Sequence, residues 1–215
     1  MRPLISIIAT VIILTMLFPV TASQEAWEEL RPDQEISDEF ETWSLFLVCH
    51  QRWLLSESND EMGALHNQFL AFGEAIGPDH LAVWFLQDPE PIHSESNIPD
   101  VQRNIEYCLK FNLPLSDGPY VVVTSNYPDN LDVESPDSSF LIVHLNGADS
   151  VEISNLLTEL NQKIRTEELA TFAPDGSGFW VLLVDIFVSS RDTLLSLGEG
   201  VKVTFKTPFF SAEVG

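Results

Sequence analysis

The chain has 215 residues, 45% of them hydrophobic, and sets 33 Asp+Glu against 10 Lys+Arg for a net charge of −23. That length builds a real core in one large domain, or in one domain with an appendage. That charge repels phosphate backbones and anionic lipid surfaces, which argues against nucleic-acid partners and leaves basic proteins and metal ions open.

The first element is a leader. Arg2 precedes an uncharged apolar run over residues 4–18, Pro19 breaks the run, and Val20-Thr21-Ala22 supplies compact residues at an exit site. This is the layout of a secretory signal, and the run falls short of the roughly 17–25 residues a spanning helix needs. Residues 1–22 are therefore read as a signal peptide cleaved near Ala22, which places the protein in an extracytoplasmic space, periplasmic or secreted. No integral membrane span then remains; an uncleaved anchor is the competing reading. The segment carries Arg2 and no acid, so its removal leaves the rest more acidic still.

Residues 23–41 form an acidic lead-in, with Glu28, Glu29, Asp33, Glu35 and their neighbours against Arg31 alone. Self-repulsion predicts a solvated helix or an arm outside the core, with Trp27, Leu30, Ile36 and Phe40 as its anchors. Residues 45–49 are a short continuous apolar run, the pattern of a strand buried on both faces. Asn59 or Asp60 then caps a helix in which Met62, Leu65, Phe69, Phe72 and Ile76 recur at helical spacing until Gly77-Pro78 stops it. Residues 80–86 read as a second buried strand. A proline-rich loop leads to a helix beginning near Pro99, with Val101, Ile105, Cys108 and Leu109 on its apolar face.

Residues 120–124 and 140–145 read as two further strands, joined by a long polar loop, and Asn146-Gly147 marks a turn. A helix follows from about Val151, with Ile153, Leu156, Leu157, Leu160 and Ile164 facing inward. After a linker at residues 173–178 the tail reads as strand, short helix near 192–197, and a strand at 201–205, packed on the main domain. The fold class is α/β, a mixed sheet in the order β-α-β-α-β-β-α. Two parallel crossovers, an antiparallel pair and a closing helix cover it on both faces.

That order resembles the thioredoxin fold over roughly residues 42–170, with residues 171–215 as a strand-containing C-terminal extension. The most specific local match is Gly118-Pro119 at the head of the third strand of that order, where thioredoxin-like proteins typically carry a cis X-Pro bond beside the active site. The resemblance implies a cis bond here, which only about 5–6% of X-Pro bonds adopt. The chain departs from the family at its chemistry: Cys49-His50-Gln51-Arg52-Trp53 contains no second cysteine. The loop over 125–138 is also long for that family.

Cys49 and Cys108 are the only cysteines. In an exported protein they are compatible with one disulfide, contributing roughly 3–4 kcal/mol on the chain-entropy model, or with two buried thiols. Cys49 with a resolving Cys108 is the candidate redox couple, His50 or Arg52 being the cation that activates the thiol. Because the thiol sits inside an apolar run, a structural role is favoured over a catalytic one. The five histidines (His50, His66, His80, His93 and His144) lack metal-ligand spacing and read as structural. Asp129, Asp132, Glu134 and Asp137 crowd one loop without the glycine of a calcium loop, and read as a solvated acidic surface. No nucleophile elbow or phosphate-cradling glycine loop is present, so no metal and no cofactor is implied.

The reading is an exported, non-catalytic thioredoxin-like protein acting as a binding or assembly factor, with Trp53, Gly118, Pro119 and Tyr120 as its contact site. Its partner is an unidentified protein; the charge is compatible with a basic one, though solubility alone is the plainer reading of that charge. A thiol–disulfide oxidoreductase using Cys49 and Cys108 is the alternative.

Overall fold

The computed structural model describes residues 26–50, 59–87, 98–135, 138–145, 148–166, 202–206 and 211–214. The segment expected to be a signal peptide (residues 1–22), Trp53, His93, Asp137, the 173–178 linker and the apolar stretch over 179–200 lie outside them. The described elements are β1 (Trp27–Leu30), β2 (Thr42–Leu47), α1 (Asn59–Ala75), β3 (His80–Phe85), α2 (Val101–Lys110), β4 (Tyr120–Thr124), β5 (Phe140–His144), α3 (Ser150–Thr166), β6 (Lys202–Lys206) and β7 (Ser211–Val214).

The strands form one mixed seven-stranded sheet in the order β1-β3-β2-β4-β5-β6-β7. β3 is parallel to both β1 and β2, pairing Trp27 with Ala82 and Leu45 with Val83. From β2 outward every pair is antiparallel, with Leu45 opposite Val122 and Val122 opposite Ile142. β6 pairs with β5 and β7 with β6, so the C-terminal strands continue the same sheet.

Two expectations need correction. The acidic lead-in is not an arm: Trp27–Leu30 is an edge strand, and Leu30, Ile36 and Phe40 are buried. Its carboxylates are accommodated at the margin. Glu29 Oε1 meets His66 Nε2 at 2.5 Å, and Glu28, whose pKa burial raises, accepts from Ser37 N. Nor are there two parallel helical crossovers. α1 joins the parallel pair β2 and β3, but α2 delivers the chain to β4, which runs against β2.

Period-two alternation along the central strands divides the core between the two faces. Phe46, Trp84, Val121 and Leu141 lie under α1 and α3, packed against Phe69, Phe72, Leu156 and Leu160. Leu45, Leu47, Val83 and Val122 face the other way, toward Tyr107, Cys108 and Phe111 of α2. The long loop after β4 closes this second face: Leu131 and Val133 turn inward while Asp129, Asp132 and Glu134 stay exposed. Each large apolar side chain buried in this way contributes about 1.5–3 kcal/mol.

Helix α2 is rotated relative to the sequence expectation. Its buried residues are Asn104, Tyr107 and Cys108, whereas Leu109 is 58% exposed. Asp100 caps its start, accepting from Arg103 N. No helix among the described residues is long and apolar enough to cross a membrane.

Candidate functional site

The site predicted from sequence sits where β2 ends and β4 begins. At the end of β2, Val48 N donates to Asn104 Oδ1 at 2.8 Å, and Asn104 Nδ2 donates to Asp100 O at 2.8 Å. Asn104 is 1% exposed, so its amide replaces a strand partner for Val48 inside the core. One helical turn later Cys108 is disulfide-bonded to Cys49, with their Cα atoms 5.8 Å apart. The two cysteines do meet, as one of the two open readings had it. Both are 0% exposed, which closes the approach that thiolate attack on a disulfide requires.

The Gly118–Pro119 bond is cis, as the resemblance implies. Gly118 has φ +114°, in the left-handed region that favours glycine. A Cβ at this position would meet Tyr120 Cε2 at 2.9 Å and lie 3.6 Å from Cys49 N, so the turn is packed directly onto the disulfide strand. Pro119 O accepts from Leu145 N at 2.9 Å, tying the turn to the end of β5.

Of the four residues expected to form the contact surface, Trp53 lies outside the described residues and the other three are buried. Tyr120 is 0% exposed: its ring lies edge-on to His144, its hydroxyl donates to Pro114 O, and burial pushes its pKa up to about 12. It supports the turn from within and presents no surface to a partner. Pro119, though buried, lines a cleft of about 550 Å³ between α1 and the start of α3. Leu65, Leu145, Ala148 and Ile153 make its apolar lining, with Glu61, Gln68, Asp149 and Ser150 at its polar edge. Sequence reasoning missed these residues because three separate stretches of chain contribute them.

A second cleft, about 610 Å³, opens on the opposite face between residues 32–35 and α2. Its cations are already engaged. Lys110 Nζ donates to the carbonyls of Pro128 and Asp129, and Arg103 donates to Arg31 O while lying 4.5 Å from the Phe85 ring centroid. Asp129 accepts from Tyr107 and Tyr127, and burial raises the pKa of both phenols. The acidic loop is thereby pinned to α2, and its hydrogen bonds serve the fold.

His66, His80 and His144 are each engaged with a neighbour inside the fold. His80 is fully buried between β2 and β3, with Nδ1 against Thr42 Oγ1 and Nε2 2.8 Å from Ser44 Oγ. Burial lowers its pKa to about 3, so it is neutral under ordinary conditions. His66 is held by Glu29, and His144 lies beside Tyr120 and Thr204. Among the described residues no group of three His, Cys, Asp or Glu side chains is placed to hold a metal.

No family model matches the chain, and neither the curated proteins nor the solved structures contain a match to it.

Proposed function

We propose that this is an exported thioredoxin-like protein without dithiol chemistry, acting as a binding or assembly factor through the cleft beside Pro119. The carrying observation is the junction itself. A cis Gly118–Pro119 turn packs against the segment after β2 that bears Cys49 and opens on its other side into an apolar cleft. The strand order, with a parallel β2/β3 pair beside an antiparallel β2/β4 pair, supports the fold assignment. Export is supported by the tripartite pattern of residues 1–22.

The test is site-specific crosslinking. A photoreactive side chain at Gln68, in the cleft, captures a partner that one at Glu106, on α2, does not. Ala64→Trp, which fills the cleft, abolishes the capture. Equal capture from both positions overturns the reading.

The oxidoreductase alternative draws support from one observation, that Cys49 and Cys108 do form a pair. Their complete burial weighs against it. Alkylation and mass analysis of the native protein after mild reduction separate the two. Binding without redox chemistry predicts no accessible thiol and no reduction of a generic disulfide substrate.

A further inference from the structure

The chemistry of the Pro119 cleft bears on what occupies it, and the following rests on that cleft being the contact site. We infer that its occupant is an extended peptide segment that sets an aliphatic side chain against Pro119 and carries Lys or Arg close by. The apolar half of the inference comes from the lining, where Leu65, Pro119, Leu145 and Ile153 converge.

The basic half comes from charge. Glu61 of α1 and Asp149 before α3 are both exposed at the cleft, and no Lys, Arg or His lines it among the described residues. Asp149 Oδ1 accepts from Val151 N and Glu152 N, so the α3 N-terminus offsets much of that carboxylate. Glu61 sits in the first turn of α1 and is offset in the same way, so the two carboxylates together are the charge a bound cation meets. A second copy of this chain brings a net charge of −23 to the same edge and is repelled, which favours a basic partner over self-association.

The probes are three labelled peptides with a central Leu-Val in a Gly-Ser background, flanked by Lys, Gln or Glu. Their binding to the purified full chain is followed by fluorescence anisotropy at low and high salt. The Lys peptide binds about tenfold more tightly than the Gln peptide, and salt erodes the difference. Glu61→Lys removes the preference for the Lys peptide; circular dichroism confirms that the variant folds. Equal affinity for the Lys and Gln peptides overturns the basic requirement while the cleft reading stands. Binding that persists in Ala64→Trp places the site elsewhere and overturns both, as does failure of all three peptides to bind.

Discussion

Val48 N donates to the side chain of Asn104, and the next residue, Cys49, is covalently joined to Cys108 one turn further along the same helix. Two successive residues after β2 are thus bolted to two successive turns of α2, once by a hydrogen bond and once by sulfur. Asn104→Ala removes the acceptor of a buried backbone N–H and is expected to cost about 1–3 kcal/mol. Chemical unfolding of the variant with an unchanged denaturant slope checks it. Stability equal to that of the unaltered protein refutes the role given to Asn104.

Removing the covalent half acts through a different state. Cys49→Ala with Cys108→Ala loses the constraint on the unfolded chain and is expected to destabilise by about 2–4 kcal/mol. Unfolding under non-reducing conditions measures it. Adding reductant to the unaltered protein after unfolding, but not before, reproduces the loss, because the bond is buried in the folded state.

His80 makes stability depend on pH. In the unfolded chain it titrates near 6.5, while in the fold its pKa is lowered to about 3 by burial. Between those values the unfolded state holds a proton that the folded state lacks. Stability is therefore full above 6.5 and falls as pH drops toward 3, with a slope of up to about 1.4 kcal/mol per pH unit. Urea midpoints measured across that window, compared with those of His80→Gln, isolate the contribution. Identical slopes in the two proteins count against it.

Two glycines of α1 make opposite predictions. A Cβ at Gly73 would lie 2.5 Å from Trp27 Cβ, close to the β1 backbone, whereas one at Gly63 would meet nothing within 4 Å. Gly63→Ala is expected to stabilise by about 0.5–1 kcal/mol through helix propensity. Gly73→Ala gains the same propensity but must displace Trp27, and a net loss of about 1–2 kcal/mol is expected. Thermal unfolding of the pair decides; two stabilised variants would show that β1 is not seated on α1.

Where one physical rule dominates, the sequence is legible. The apolar runs at 80–86 and 120–124 become β3 and β4, and the helical spacing of Leu65, Phe69, Phe72 and Ile76 becomes the buried stripe of α1. The misreadings arise where polar side chains are buried and satisfied by distant partners. β2 begins at Thr42, earlier than its apolar run suggests, because Thr42 and Ser44 bury their hydroxyls against His80 across the sheet. The face of α2 is misjudged because Asn104 points inward to serve Val48 while Leu109 points out. No local pattern announces such pairings. The candidate site was half legible: Gly118-Pro119 marked its location, but Tyr120 proved to be support and the cleft walls come from distant segments.

The position of β1 has a consequence for the order in which the molecule can assemble. It precedes the other described strands in the chain, yet its only strand neighbour among the described residues is β3, whose paired residues begin at Ala82. β2 follows sooner but lies on the far side of β3 and cannot serve as a template. Until the third strand arrives, the segment around Trp27 and Leu30 is an unpaired edge carrying apolar side chains, the kind of surface that invites wrong pairings. Glu28 and Glu29 put charge on that edge, and like charge along an unpaired strand opposes such pairings.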